Sequence, residues 1–258
     1  MLKGLYTSAL GMTTQMKRMD IVANNIANAN TTSFKRDRIS IRSFTEELAS
    51  RLNDKADKTT YNNINVGGMS MGVFIDDVYS DFEGGGLEQT NGPLDLAIIG
   101  TGFFCVSNSN RAGESTELYS RDGSLTLGND GLLMTKEGNP VLGQHGMIHI
   151  PAGTVMIGVN GDITSNGTYI DKIRMTDFAD KHELRKTENN LYQATNRAIK
   201  SGFTGQVQQG FLEGSNVNAM REMIDMISLN RLYDANARMI TTHDTMMSHA
   251  ANDVGRKV

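Results

Sequence analysis

The sequence predicts an α+β protein in which two long terminal helices flank a β-rich centre. Of its 27 glycines, 24 lie between Gly67 and Gly214, and all three prolines lie in the same interval. Because both residue types weaken helix interiors and favour turns, only the two ends tolerate long helices. At both ends apolar residues recur at heptad spacing, whereas the middle alternates turn pairs with short β-prone runs.

The N-terminal segment predicts a helix that ends near Ala29, and we assign residues 1–30 to it. Its apolar residues follow alternating steps of three and four, the pattern of a helix packed lengthwise on another helix. This seam consists of Leu2, Leu5, Ala9, Met12, Met16, Met19, Ala23 and Ile26. Asn28, Asn30 and Thr31 follow, and such side chains favour helix ends and turns.

The C-terminal segment, residues 212–258, predicts a second and longer helix. Ser215 or Asn216 is a candidate N-cap. One apolar seam consists of Ala219, Met223, Met226, Tyr233, Ala237, Ile240 and Met247. Further apolar residues widen the surface beyond this seam: Met220, Ile224, Ile227, Leu229 and Leu232. A helix this apolar is not stable alone in water, so we expect it to need more than one neighbour.

Residues 31–66 are predicted to form a linker that contains a short helix. Phe44, Leu48 and Leu52 recur at steps of four, which suits one helical face. A basic cluster in this linker comprises Lys35, Arg36, Arg38 and Arg42. Acidic residues dilute it and the net charge of the chain is −4, so we interpret the cluster as a solvated face and expect no nucleic-acid partner.

Residues 67–211 are predicted to form a central antiparallel β domain. Turn-forming pairs recur at Asn91-Gly92, Asp122-Gly123, Asp130-Gly131, Glu137-Gly138, Asn160-Gly161 and Asn166-Gly167. The β-prone runs between them include residues 94–99, 103–106, 125–127, 155–159 and 173–178. Turn spacings of this kind are typical of an antiparallel sandwich or a small barrel.

Two helices that flank one β domain can pair with each other as a coiled-coil stalk and still leave apolar surface for other molecules. Ten of the 16 methionines lie in the first 19 or last 39 residues, and methionine adapts to irregular partner surfaces. The alternative is that these methionines pack on the chain's own β domain. The candidate interface residues are Leu2, Leu5, Met12, Met16, Met19, Ile26, Met223, Met226, Ile227, Tyr233, Ile240 and Met247.

Motifs for catalysis, metal binding and cofactor binding are missing from the sequence, so we expect a protein that is not an enzyme and binds no cofactor. The five histidines form no metalloprotease pair, and Gly100-Thr101-Gly102 lacks the third glycine and following helix of a dinucleotide motif. Cys105 lies in a β-prone run and is predicted to be a buried thiol. No apolar run reaches the roughly 20 residues of a membrane span, and no cleaved secretory signal is recognisable.

Four motifs resemble those of the bacterial flagellar rod and hook proteins. Residues 22–36, Val-Ala-Asn-Asn-Ile-Ala-Asn-Ala-Asn-Thr-Thr-Ser-Phe-Lys-Arg, resemble the N-terminal signature of this family, and residues 208–218 resemble its C-terminal signature. Residues 94–104 and 119–124 are similar to motifs of its β domain. The resemblance covers nearly the whole chain.

The resemblance implies a structural subunit of the flagellar basal body. Such subunits are exported without a cleaved signal through the flagellar type III export apparatus and polymerise, with other rod and hook axial proteins, into a hollow helical shaft that transmits torque. Residues 86–95 resemble the distal-rod subunit, and the related proximal-rod subunit is the alternative.

In this family the terminal helices form the inner, axial layer. The asparagines of the signature either fix the turn that leaves the first helix or mark a soft helix end, and the resemblance favours the first interpretation. The residues concerned here are Asn24, Asn25, Asn28 and Phe34. From a different class of protein, a coiled-coil binding or adhesion module with a β head is also compatible with the sequence.

Overall fold

The computed structural model describes residues 2–44, 47–54, 62–69, 72–109 and 115–255. Within these ranges the chain forms two α-helices, two short 3-10 helices (Lys181–Glu183 and Glu188–Asn190) and a series of strands. The helices and strands are, in chain order, α1 (Leu2–Ala27), β1 (Asp37–Ser43), β2 (Glu47–Asp54), β3 (Asn62–Met69), β4 (Val73–Ser80), β5 (Leu87–Gln89), β6 (Leu96–Ile99), β7 (Phe103–Ser109), β8 (Ser115–Ser120), β9 (Leu125–Leu127), β10 (Leu133–Thr135), β11 (Val155–Ile157), β12 (Asp162–Ser165), β13 (Thr168–Lys172), β14 (Met175–Phe178), β15 (Leu184–Lys186), β16 (Tyr192–Ala194), β17 (Lys200–Ser201), β18 (Gln206–Gln209), β19 (Phe211–Glu213) and α2 (Ala219–Gly255). The α+β class predicted from the sequence is confirmed.

The chain divides into two compact units. The helical unit comprises Met1–Asn24, Arg38–Val78 and Met220–Val258, and the β unit comprises Asn25–Asp37 and Tyr79–Ala219. In this division, part of the predicted linker groups with the two helices, and the segment that follows α1 groups with the strands.

The β unit is built around a six-stranded sheet with the order β15-β16-β8-β7-β14-β17. A three-stranded sheet, β11-β12-β13, and the two-stranded pairs β9–β10, β6–β18 and β5–β19 complete it, and all of these pairs are antiparallel. The predicted strand runs in the central domain therefore all contain strands, with ends that differ by a few residues.

Strand β7 explains why the sequence has a continuous apolar run at residues 103–106. Phe104 and Val106 belong to the larger hydrophobic core, whereas Phe103 and Cys105 belong to a second, smaller one. Successive side chains of a strand point to opposite faces, so this strand is covered on both sides. Cys105 is fully buried as predicted, and burial raises the pKa of its thiol to about 11.

In the helical unit, α1 packs on α2 through small residues. A Cβ atom built on Gly4 would lie 2.7 Å from His243 Nε2, and one built on Gly11 would lie 3.1 Å from Asn236 Nδ2. Seven residues forward along α1 correspond to seven residues backward along α2, so the helices are antiparallel at these positions.

The described helices include none that is long and apolar enough to cross a membrane.

A neighbouring face of α1 contacts strand β4. The Thr14 hydroxyl donates a hydrogen bond to the Val73 carbonyl oxygen (3.4 Å), and a Cβ atom built on Gly72 would lie 3.0 Å from Leu10 Cδ1. Strand β1 pairs with β4, and Arg42 forms an ion pair with Asp76 across this pair (2.9 Å).

The short helix predicted in the linker is wrong. Residues 47–54 form strand β2, which pairs antiparallel with β3. Leu48 and Leu52 are four residues apart, and because four is an even number this spacing fits one face of a strand as well as one face of a helix. Residues 55–61, between the two strands, lie outside the described residues.

Candidate assembly interface

The turn that leaves α1 is held by the side chain of Asn25. Its Nδ2 donates to the Asp37 carbonyl oxygen and its Oδ1 accepts from the Asp37 backbone N–H, both at 3.0 Å. Asn25 is 1% exposed, so these two bonds replace the water that its amide group loses on burial. The segment that leaves the helix is therefore tied back to the last turn of α1.

The same turn continues through Asn28 to Phe34. Asn28 Oδ1 accepts from the Thr31 hydroxyl (3.2 Å), and the buried ring of Phe34 lies 3.7 Å from the ammonium nitrogen of Lys186, a cation–π contact. Asn24 is exposed on the helix. Of the four predicted turn residues, the structure thus places Asn25, Asn28 and Phe34 in the turn and its contacts.

A buried cluster of three charged side chains lies next to this turn. Glu213 Oε1 accepts from Lys35 Nζ (2.7 Å) and Glu213 Oε2 accepts from Arg121 Nε (2.9 Å). Lys35 is fully buried, and both Glu213 and Arg121 are 2% exposed. Removing one partner of such a cluster leaves buried charges uncompensated, which is costly.

Backbone groups complete the coordination of these three side chains. Glu213 Oε1 also accepts from the Gly85 N–H (3.0 Å), Lys35 Nζ donates to the Glu83 carbonyl (2.8 Å), and Arg121 donates to the Gly100 carbonyl (2.8 Å). A Cβ atom on Gly85 would lie 2.0 Å from the Gly214 carbonyl oxygen, so the chain needs a glycine there.

Electrostatics favour the charged form of the carboxylate at the centre of this cluster. Burial alone would raise the pKa of Glu213, but the charges of Arg121 and Lys35 and the hydrogen bonds from Lys35 and Gly85 outweigh it. The pKa of Glu213 therefore lies below its ordinary value.

The charge cluster joins all four motifs on which the family resemblance rests. Lys35, Arg121 and Glu213 each lie in a different motif, and Gly100 lies in the fourth. The interpretation of Lys35 as part of a solvated face is wrong, because its ammonium group is paired to a carboxylate 178 residues away in the sequence. We did not predict this cluster, although the four motifs already contained its members.

Asn216 has a different role from the helix cap that we predicted for Ser215 or Asn216. Helix α2 begins at Ala219, and Asn216 Oδ1 accepts from the Arg36 backbone N–H (2.8 Å). Its Nδ2 donates to the carbonyl oxygens of Asp81 (2.8 Å) and Glu83 (3.1 Å). Asn216 therefore joins the segment after α1 to the segment before α2.

The candidate interface residues of α1 are covered only in part. Leu5, Met12, Met19 and Ile26 are half-buried, and Met16 is 49% exposed. Leu2 begins the helix. The most buried side chains of this helix are instead polar: Ser8, Thr14 and Asn25.

Those of α2 divide into two groups. Met226, Tyr233, Ile240 and Met247 are half-buried and recur every seven residues. With Glu222, Leu229, Asn236 and His243 they make one covered face whose members follow alternating steps of four and three. Met223 and Ile227, in contrast, are more than half exposed.

The exposed side of α2 carries two apolar stripes. The first consists of Met220, Met223, Ile224 and Ile227, at positions i, i+3, i+4 and i+7, with exposures between 51% and 74%. The second recurs every seven residues and consists of Leu232, Met239 and Met246. We refer to them as the first and second apolar stripes. Full burial of a side chain of this size stabilises a protein or a complex by about 1.5–3 kcal/mol relative to leaving it exposed to water.

Among the described residues, no group of three or more His, Cys, Asp or Glu side chains is placed to hold a metal ion.

Family comparisons match the two ends and the centre of the chain separately. Residues 5–35 match the model of the flagella basal body rod protein, residues 97–168 match the D1 domain of the flagellar hook protein FlgE/F/G, and residues 208–253 match the C-terminal region of the flagellar basal body rod FlgEFG protein.

Full-length relatives are also similar. A flagellar basal-body rod protein FlgG of Agrobacterium fabrum is 32% identical over 96% of this chain and 97% of its own length. The hook-basal body complex protein FlhO of Bacillus subtilis is 30% identical over 99% of this chain and all of its own length. The rod protein FlgF of Caulobacter vibrioides is 32% identical over 98% of both.

Proposed function

Because the chain belongs to the flagellar basal-body rod protein family and is a structural subunit of that rod, we propose that it forms the distal rod as a homopolymer. Relatives named FlgG support the distal position, and the proximal rod is the alternative within the family. In the polymer, each subunit transmits torque through its packed helices.

The observation that carries the proposed polymer is the first apolar stripe on α2. Four large apolar side chains stay exposed on a helix whose opposite face is already covered within the chain. Contiguous exposed apolar surface of this kind marks protein–protein contacts. Each copy presents such a surface, and contacts between different patches of successive copies generate an open helical filament when the rotation from copy to copy does not close into a ring.

We further propose that α1 and α2 pair as a coiled coil in the assembled subunit. The antiparallel contacts of Gly4 with His243 and of Gly11 with Asn236 support this pairing, because they are one heptad apart on both helices. The predicted seam residues Leu5, Met12, Met16 and Met19 and the first apolar stripe then contact neighbouring copies.

The buried charge cluster supports a mechanical role for the β unit. Within this unit it joins the segment after α1 to the segment before α2 through ion pairs and a hydrogen bond, so both connections to the helices start from one braced region. Export through the flagellar type III apparatus and contact with other rod and hook axial proteins are part of the same proposal.

Light scattering over a dilution series tests whether the chain polymerises. A rod subunit gives particles whose mass grows with concentration and that electron microscopy shows as tubes. A coiled-coil adhesion module would instead give a dimer or trimer whose mass reaches a plateau, and that result would contradict the proposed polymer.

A further inference from the structure

We propose that the first apolar stripe of one copy receives side chains from the second apolar stripe of the next copy. This inference rests on the proposed polymer and names the two surfaces that join its subunits. Both stripes lie on α2, and every side chain in them is at least 45% exposed. Their members are Met220, Met223, Ile224 and Ile227 in the first stripe and Leu232, Met239 and Met246 in the second.

The first apolar stripe has the spacing of a hole in knobs-into-holes packing. Its members stand at positions i, i+3, i+4 and i+7, and four residues so placed surround one side chain, the knob, of a facing helix. All four side chains are large and apolar, so an apolar knob between them loses its contact with water. Two of the four are methionines, whose flexible side chains adapt to the inserted group.

The second apolar stripe has the spacing of a row of knobs. Leu232, Met239 and Met246 repeat every seven residues, so they project from one line along α2. The positions that would complete a hole between them are small or polar: Ala235, Asn236, Thr242 and His243. The second stripe therefore forms no apolar hole for a second copy of itself. The surface that complements it is the first apolar stripe.

The positions of the two stripes allow one copy to use both of them. They occupy separate stretches of α2, residues 220–227 and 232–246. At 3.6 residues per turn, their mean directions differ by roughly 110° around the helix. Each copy can therefore bind one neighbour through its first stripe and another through its second. A contact between two different patches is heterologous and repeats from copy to copy.

Helix α1 matches the first apolar stripe less well. Among the α1 side chains whose exposure is described, the exposed large apolar ones are Tyr6 and Met16. These two residues are ten positions apart, which is not a heptad spacing, so they do not form one row of knobs. The second stripe of a neighbouring α2 is thus the better partner.

Cysteine cross-linking in the polymer tests this pairing. The native Cys105 is fully buried, so disulfides between copies form only from introduced cysteines. We combine Ile224→Cys with Leu232→Cys, Met239→Cys or Met246→Cys in turn, and oxidise the polymer after it has formed under reducing conditions. Residue 224 of each copy then meets the second stripe of the next, so at least one double variant should give a ladder of dimers, trimers and longer chains on a denaturing gel.

The matched control combines Ile224→Cys with Thr241→Cys, an exposed position that points to another side of α2 than Met239. We expect at least about tenfold less inter-chain disulfide from this control, because cysteines whose Cα atoms lie more than about 7 Å apart cannot bridge. Each single cysteine variant should stay monomeric on the gel, since a heterologous contact does not place a residue beside its own equivalent.

Normal polymer without a ladder in any of the three double variants would overturn the pairing and leave the proposed polymer intact. Dimers from Ile224→Cys alone would show that the first stripe packs on itself, and a ladder with Met16→Cys alone would assign the contact to α1. Either result would also overturn the pairing. Absence of polymer from the parent chain would instead overturn the proposed function, and the pairing with it.

A mixture of two charge variants replaces cross-linking if the cysteine variants do not polymerise. Ile227→Asp disrupts the first stripe and Met239→Asp disrupts the second, so each variant keeps the stripe that the other has lost. We expect the mixture to form a heterodimer in light scattering, whereas each variant alone stays monomeric. A mixture that stays monomeric would overturn the pairing.

Discussion

The β unit and the helical unit differ in where they place their apolar side chains. Among the residues whose burial is described, Leu229 is the only buried apolar side chain of the helical unit, and all the others belong to the β unit. The helical unit instead buries polar residues such as Ser8 and Thr14 and exposes its two apolar stripes. The β unit therefore forms its hydrophobic core within one chain. The helical unit leaves large apolar side chains exposed, as we expect of a core that is shared between molecules.

The polar groups show the same difference. In the β unit, Glu213 forms ion pairs with both Lys35 and Arg121. All three side chains are buried, although they are far apart in the sequence. On α2, in contrast, the exposed side chains include large methionine, isoleucine and leucine residues.

The largest effect on the β unit is expected from Glu213→Gln. This change preserves the shape of the side chain but leaves the buried Lys35 and Arg121 without a counter-charge, so we expect a loss of about 3–5 kcal/mol in the free energy of unfolding. Chemical denaturation measures it. The control is Glu88→Gln, an exposed carboxylate on the neighbouring strand β5, for which we expect a change within about 0.5 kcal/mol. Equal effects of the two changes would contradict the role of the charge cluster.

Acid should remove the same stabilisation. The folded-state pKa of Glu213 lies below its ordinary value of 4.5, so its contribution is present above that value and is lost as pH falls through the lower, folded-state pKa. The stability difference between the parent chain and Glu213→Gln should therefore be constant near neutral pH and shrink in acid. A difference that does not change down to complete acid unfolding would show that this carboxylate is not the titrating group.

In the helical unit, a charge on the first apolar stripe should block assembly without unfolding the monomer. Ile227→Asp would place a carboxylate in a desolvated contact, at a cost of about 2–4 kcal/mol per contact between copies. Sedimentation of polymer measures the loss, and circular dichroism of the dilute monomer should not change. Ser228→Asp, an exposed polar position next to it, is the control. Normal polymer formation by Ile227→Asp would show that the first apolar stripe is not part of the interface between copies.

A smaller effect is expected where α1 contacts α2. The Cβ atom of Gly4→Val would lie closer to His243 than van der Waals contact allows, so we expect a loss of about 1–3 kcal/mol in the stability of the helical unit. Combination with His243→Ala should restore part of it, since the truncated side chain makes room. Ala23→Val, at an exposed position of the same helix, controls for the lower helix propensity of valine. Absence of rescue would mean that the two helices are not in contact at this position.

The smallest effect is expected at the turn after α1. Asn25→Ala removes both the oxygen that accepts from the Asp37 N–H and the Nδ2 that donates to the Asp37 carbonyl, so about 1–2 kcal/mol of stability should be lost. Hydrogen exchange of the Asp37 amide shows whether this N–H has lost its bond. A variant as stable as the parent would show that other contacts, and not those of Asn25, hold the turn.

The sequence predicted the elements better than their contacts. Turn pairs identified the strands of the β unit because Asn-Gly and Asp-Gly have specific backbone preferences; Asn166 and Gly167 both have positive φ and connect β12 to β13. The segment of β2 was predicted incorrectly because a spacing of four suits both periodicities.

Contacts across long stretches of sequence were beyond such reasoning. Lys35 looked like a surface residue because its partner, Glu213, is distant in the chain. The seam of α1 was predicted from its large apolar residues. Gly4 and Gly11, which also lie close to α2, were not part of that prediction, although small residues let two helices approach closely. Heptad spacing alone does not show which face of a helix packs within the chain and which packs outside it.

Native-state hydrogen exchange, compared between dilute monomer and polymer, tests most directly whether the exposed apolar surface of the helices is buried against other molecules. We predict that in the monomer the amides of α2 open with a free energy at least about 2 kcal/mol below those of β7 and β8, and that polymerisation protects α2 while leaving β7 unchanged. Equal protection of α2 and β7 in the dilute monomer, with no gain on polymerisation, would contradict the account.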